Sequence, residues 1–149
     1  MYINFKHDHK CFNLRVSSVI NKDDKILFSR DNDFYTLPGG RVFFGETTEN
    51  ALKRTILNDL NIKIKIVKLL SINENFFDYG VDEYHELLFV YLCEIDNDEE
   101  IADEIVNTKK DKSYHFITMK EILNLNLKPE FLLSDLKNIS QDIMHNVNK

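Results

Sequence analysis

The feature that most constrains the fold is a pair of turns that precedes a helical pattern. Leu37-Pro38-Gly39-Gly40 follows a short apolar stretch, and a second turn comes at Gly45-Glu46. Proline cannot donate to a sheet ladder and glycine permits sharp turns, so we expect a strand to end at this point. Glycine also lets the backbone approach a ligand closely. The two turns therefore suit a site for phosphate and a metal ion.

A helix is predicted directly after these turns. Thr47 or Thr48 can cap its first turn, and Asn61 is a suitable stop. One buried stripe is formed by apolar residues at every fourth position, namely Leu52, Ile56 and Leu60.

The remaining chain predicts strands around this helix. Hydrophobic periodicity indicates strands over 12–20, 25–29, 34–37, 62–77, 87–93 and 114–118, with a hairpin turn at 78–83. The segment 62–77 is either one long strand or two strands with a bend. The strand at 114–118 is expected to be the last one. A short helix is expected over 119–123 and a longer one from Pro129, with Phe131, Leu132, Leu136, Ile139 and Ile143 on its buried side. The acidic segment 96–104 lacks a period and predicts a solvated loop.

Composition narrows the class of protein. The 149 residues suit one domain over 1–149, with 43% hydrophobic and 30% charged residues. A net charge of −6 argues against nucleic-acid polymers as partners, and no apolar run approaches the roughly 18 residues of a membrane span. Two isolated cysteines and the lack of a secretory signal pattern predict a cytoplasmic protein. The abundance of Lys, Asn and Ile suggests an AT-rich bacterial coding sequence.

The turns and the helix also match a known motif. Gly40, Glu46, Arg54, Ile56 and Ile62 have the spacing of the Nudix box, which this chain resembles over residues 40–62. The box ends in Arg-Glu-hydrophobic-any-Glu-Glu-any-Gly-hydrophobic. Here the three helix glutamates of the box are replaced by Thr55, Asn58 and Asp59. Its glycine is replaced by Asn61. Segments 74–77, 84–86 and 127–132 are similar to one bacterial Nudix subgroup. The resemblance implies an α/β (α+β) fold, a Nudix-like α/β/α sandwich whose mixed β-sheet is flanked by helices.

The resemblance implies a hydrolase that cleaves a pyrophosphate bond in a nucleoside diphosphate linked to another group, with Mg²⁺ or Mn²⁺. Positions 55, 58 and 59 share one helix face. Only Asp59 is anionic there, so a cluster of several ions is not expected. A single magnesium ion can use one or two protein carboxylates together with substrate phosphates. Its expected protein ligands are Asp59, Asn58, a backbone carbonyl near Gly40, and Glu46 through water.

Other residues receive roles in catalysis and substrate binding. Threonine at 55 cannot act as a general base near neutral pH, so another group must do so or the reaction is slow. Glu86 is one candidate for this base. In the family the arginine at Arg54 orients neighbouring acidic groups. The candidate substrate contacts are the turn backbone at Gly39 and Gly40, the cations Arg41 and Arg30 for phosphate, and Tyr35 or Phe34 for base stacking.

Two classes of function follow. The leading interpretation is a Nudix pyrophosphohydrolase with weak catalysis or a relocated base. The alternative is a Nudix-fold module that binds a nucleotide or a protein partner without hydrolysis. The family often forms dimers, so the resemblance also allows a homodimer.

Overall fold

The architecture was analysed in a computed structural model, which describes residues 1–31, 34–96, 100–125 and 142–149. The described strands are β1 (Asn4–His7), β2 (Lys10–Lys22), β3 (Lys25–Asp31), β4 (Phe34–Thr36), β5 (Gly39–Arg41), β6 (Ile64–Tyr79), β7 (Asp82–Ile95), β8 (Glu104–Asn107), β9 (Lys112–Thr118) and β10 (Met144–Asn148). The helices are α1 (Thr48–Leu60) and α2 (Met119–Ile122). In this part of the chain, no helix is long and apolar enough to cross a membrane.

The strands form one mixed sheet in the order β10-β6-β7-β2-β3-β9-β8. Strands β1 and β5 pair with β2, and β4 pairs with β3. β2 runs parallel to β7 over 10–20, whereas it pairs with β3 only at Asn21 and Lys22. Because β3 then leaves β2 to pair with β9, the two strands diverge beyond their shared turn.

Two apolar clusters follow from the alternation of side chains along these strands. On β2, Val16 and Ile20 belong to a cluster with α1, whereas Val19 belongs to a second cluster with α2. The strands are thus apolar on both faces, and helices contribute to both clusters. The predicted mixed sheet flanked by helices is confirmed.

Helix α1 has the predicted ends and the predicted buried stripe. The hydroxyl of Thr47 accepts a hydrogen bond from the Asn50 N–H, which satisfies one free donor of the first turn. Asn61 adopts a left-handed conformation with φ +56°, and its N–H donates to the Leu57 carbonyl. Position 40 lies against this helix, because α1 packs on β2 and β5.

The structure corrects three expectations. The strand at 112–118 is not the last, because β10 follows it and pairs in parallel with β6. Short β1 and β8 were not expected, since their polar residues carry little hydrophobic alternation. Ile143 is 56% exposed and not buried. The rest of the predicted helix from Pro129 falls outside the described residues, and the single domain over 1–149 stays a prediction.

Candidate functional site

A cleft of about 1240 Å³ opens beside α1 and the turn that precedes it. Its walls come from α1, from the β6–β7 hairpin and from the β8–β9 hairpin. The sequence-predicted site residues that line it are Gly39, Gly40, Arg41, Arg54, Asn58, Asp59 and Glu86. Arg30, Tyr35 and Glu46 are not part of its lining.

Arg54 joins the helix to the turn. Its Nε donates to Oε2 of Glu46 at 2.8 Å and its Nη2 donates to Oε1 at 2.9 Å. The same Nη2 donates to the Arg41 carbonyl, and the guanidinium lies 4.2 Å from the centre of the Phe43 ring. The hydrogen bond from Arg54 holds the pKa of Glu46 below its ordinary value. Both Glu46 oxygens therefore have partners, because Oε1 also accepts from the Phe43 N–H.

Thr55 occupies a packing position. Its side chain is buried, and it lies against the backbone of Gly40. A Cβ atom added to Gly40 would come within 2.9 Å of Thr55 Cγ2 and 3.0 Å of its Oγ1. The glycine thus permits a close contact between β5 and α1 at the start of the cleft.

Asp59 already has a cationic partner. Its Oδ1 lies 2.6 Å from Nζ of Lys110, which is in the turn of the β8–β9 hairpin. Asn107 of the same hairpin donates from Nδ2 to the Asp59 backbone carbonyl at 3.0 Å. Burial raises the pKa of the nearby Tyr114 hydroxyl to about 12, and the Asp59 charge adds to this effect.

We tested whether these residues fit the metal ion that the resemblance implies. Glu46 is engaged by Arg54, and Asp59 by Lys110. Asn58 is exposed on the helix and supplies only a neutral oxygen. Within residues 1–31, 34–96, 100–125 and 142–149, no group of three His, Cys, Asp or Glu side chains could hold a metal ion. The donor set does not fit a metal ion held by this chain alone.

Glu86 lies on β7 at the opposite wall of the cleft. Its side chain is 13% exposed, and Asn75 Nδ2 donates to its Oε1 at 3.2 Å. Arg15 Nε lies 4.0 Å from its Oε2. Asn75 in turn accepts from Asn148 of β10, so two amides in series orient this carboxylate. Glu86 is therefore a carboxylate that hydrogen bonds hold in position beside the cations of the cleft.

Side chains alternate between the two faces of β4, which explains which aromatic residue reaches the cleft. Phe34 and Thr36 line it, whereas Tyr35 points to the other face, where it packs with the α2-side cluster. Arg30 lies 5.8 Å from the centre of the Tyr35 ring. Of the two aromatic residues considered for stacking, Phe34 is the one at the cleft.

Sequence reasoning missed most of the cations of the cleft. Among the described residues, seven cationic side chains line the cleft against three anionic ones, although the whole chain has a net charge of −6. The missed cations are Arg15, Lys109, Lys110, Lys112 and Lys149. The run Lys109-Lys110-Asp111-Lys112 was visible as a cationic turn, but only the fold places it opposite α1. Arg15 was visible as a lone charge among the apolar positions of β2.

Ser29 adds a polar atom at the cleft wall. The residue is 3% exposed and lines the cleft from β3. Among the described residues, its Oγ has no hydrogen-bond partner. A buried hydroxyl without a partner is costly, so a polar ligand group here would satisfy it.

Comparisons with known proteins agree with the observed fold. A family model described as NUDIX domain matches residues 12–135. A NUDIX hydrolase from Nitrosomonas europaea superposes with a TM-score of 0.70 at 14% identity, covering 92% of this chain and 79% of that one. A UDP-X diphosphatase gives 0.63 at 20% identity, covering 90% of this chain, which spans only 66% of that protein. An ADP-ribose pyrophosphatase from Streptococcus suis 89-1591 gives 0.57 at 16% identity, covering 91% and 98%. At these identities the structural likeness shows the fold alone.

Proposed function

Because this chain belongs to the NUDIX family, we propose that it hydrolyses a pyrophosphate bond in a nucleoside diphosphate linked to another group. The main support for this proposal is that one cleft contains both a cluster of arginines and lysines and the oriented carboxylate of Glu86. Arginine and lysine side chains suit phosphate oxygens as hydrogen-bond donors. A UDP-X diphosphatase and an ADP-ribose pyrophosphatase share the fold, which favours ligands with this diphosphate core.

Glu86 acts as the general base in this proposal. A water molecule attacks one phosphorus, and Glu86 accepts its proton. The bond between that phosphorus and the bridging oxygen breaks, and the bridging oxygen leaves with the electron pair. The cleft cations stabilise the negative charge that develops on the phosphate oxygens. Arg54 acts indirectly, because it fixes the turn that bears Gly39, Gly40 and Arg41.

The proposal uses no protein-held metal ion in any step. Nudix hydrolases generally use divalent metal ions, but the donors of this cleft do not fit one. Mg²⁺ or Mn²⁺ would enter only as a counter-ion bound to the phosphates of the ligand. A cytoplasmic location and a homodimer remain predictions alongside this activity.

One observation favours a second candidate function. Lys110 neutralises Asp59, which is the one carboxylate among positions 55, 58 and 59. A helix face without a free carboxylate suits a module that binds the same ligand and does not hydrolyse it.

One assay distinguishes the two candidates. The pure protein is incubated with ADP-ribose, UDP-glucose, NADH, dinucleoside polyphosphates and nucleoside triphosphates, with Mg²⁺, Mn²⁺ or EDTA. Phosphate-containing products and ligand binding are both measured. Glu86→Gln should abolish turnover and retain binding, whereas Glu94→Gln on the same strand should behave like wild type, because Glu94 is outside the cleft lining. Binding without turnover supports the second candidate, and neither binding nor turnover overturns both.

A further inference from the structure

The β8–β9 hairpin is built to present lysines to the cleft. In its turn, Asn107 Oδ1 accepts from the backbone N–H groups of Lys109 and Lys110 at 3.1 and 3.2 Å. The same side chain donates to α1 through the Asp59 carbonyl. One asparagine therefore shapes the turn and fixes it against the helix. Lys112 follows on β9 and also lines the cleft.

The ammonium group of Lys110 lies next to Asp59, where the resemblance predicts a metal ion. The ammonium nitrogen lies 2.6 Å from Oδ1 of Asp59, the one carboxylate among positions 55, 58 and 59 of α1. The Asp59 side chain is 10% exposed, whereas that of Lys110 is 53% exposed. An ammonium group has three donor protons, so Lys110 can contact Asp59 and still donate to a ligand oxygen.

Two arginines complete the positive surface. Arg15 on β2 and Arg41 on β5 are directly paired across the antiparallel strands, and both line the cleft. Like charges directly opposite each other are destabilising. Burial lowers the pKa of Arg15, Glu86 opposes this effect, and the charge of Arg41 lowers the pKa further. Glu86 lies near Arg15, but among the residues that the structure describes Arg41 has no carboxylate partner, so an added anion would relieve this repulsion.

We propose that the lysines of the β8–β9 hairpin, with Arg15 and Arg41, bind the diphosphate of the ligand directly and take over the charge neutralisation of a protein-held metal ion. The inference rests on the proposed function for the class of ligand. It assigns Lys110 and Lys112 as phosphate-binding residues and makes binding independent of a divalent ion. Asp59 then competes with phosphate for Lys110.

Inorganic pyrophosphate is the probe that tests this inference, because it contains only the shared diphosphate. Binding is measured by calorimetry in EDTA and in Mg²⁺. The wild-type protein should bind in EDTA. Lys110→Gln and Lys112→Gln should each weaken binding by about 10-fold, which corresponds to the loss of about 1.4 kcal/mol. Lys63→Gln is the matched control, because Lys63 is exposed and outside the cleft lining.

Asp59→Asn gives the sharpest discrimination. If Lys110 binds the phosphate, this variant should bind pyrophosphate in EDTA several-fold more tightly, since it removes a competing negative charge. If Asp59 holds a metal ion for the ligand, the same variant should weaken binding in Mg²⁺.

The outcomes separate the two proposals. Binding only in Mg²⁺, or unchanged affinity in both lysine variants with native thermal melting, overturns the inference. Pyrophosphate binding without binding or turnover of any nucleotide overturns the proposed function and leaves the lysine site standing. If pyrophosphate binds neither in EDTA nor in Mg²⁺, the inference is overturned, even if nucleotides bind or are hydrolysed.

Discussion

The contact between Gly40 and Thr55 gives a prediction whose size follows from the structure. In Gly40→Ala, the new Cβ would lie 2.9 Å from Thr55 Cγ2 and 3.0 Å from its Oγ1. Thr55 is only 6% exposed, and its branched side chain has few rotamers on a helix. The atoms must move apart within a packed region, and such overpacking costs about 1–3 kcal/mol. For a chain of this length, a loss of about 2 kcal/mol lowers Tm by about 4–8 °C.

The second variant identifies the cause of this loss. Thr55→Ala removes both close atoms and leaves only the Cβ at position 55, which is 3.5 Å from the Cβ added at position 40 and in ordinary contact. In that background, Gly40→Ala should be neutral or stabilising by about 0.4–1 kcal/mol, because alanine restricts the unfolded chain. The coupling energy between the two positions is then expected to be about 1–4 kcal/mol, the difference between these two effects.

Urea unfolding of the four proteins measures this coupling. Gly39→Ala is the contrasting variant, since its Cβ would lie 2.0 Å from the Val16 backbone carbonyl. Thr55→Ala cannot relieve that clash, so Gly39→Ala should be destabilising in both backgrounds. The reasoning is refuted if Gly40→Ala costs the same free energy of unfolding whether position 55 is threonine or alanine.

Two further predictions concern the carboxylates. The hydrogen bond from Arg54 holds the pKa of Glu46 below its ordinary value, so the ion pair stabilises the native state fully above the unfolded pKa and loses this contribution as pH falls through the lowered native pKa. Glu46→Gln should make Tm less dependent on pH in this acidic range. The same pH dependence of Tm in the variant and the wild type would contradict a stabilising role of the ion pair. Asn75→Ala should lower kcat of the proposed hydrolysis by about 10- to 100-fold through misplacement of Glu86, with ligand affinity changed by less than about 3-fold. Equal kcat values in the variant and the wild type would exclude this positioning role.

Patterns among neighbouring residues made part of the fold predictable from the sequence. Helix α1 was readable because its cap at Thr47, its apolar stripe and its stop at Asn61 are all within 15 consecutive residues. The β6–β7 hairpin was readable from its alternation and from Gly80, which has a φ of +64°. In contrast, β1 and β10 are short and polar, and their strand conformation comes from pairing with β2 and β6.

The chemistry of the cleft depended on contacts between distant residues. The box motif indicated Gly40, Arg54 and Asp59 by spacing alone. No local pattern could reveal that Lys110 contacts Asp59, because these residues come together only when the β8–β9 hairpin packs beside α1. The loss of the helix glutamates was visible in the sequence, but the lysine that faces the remaining carboxylate was visible only in the structure.

Binding of a diphosphate by the cations of this cleft can be observed in a crystal structure of the protein with ADP-ribose in EDTA. We expect the two phosphate groups within hydrogen-bond distance of Lys110 or Lys112 and of Arg41, with Glu86 facing one phosphorus. A diphosphate bound outside the cleft, or bound only when a metal ion replaces Lys110 at Asp59, would contradict the account.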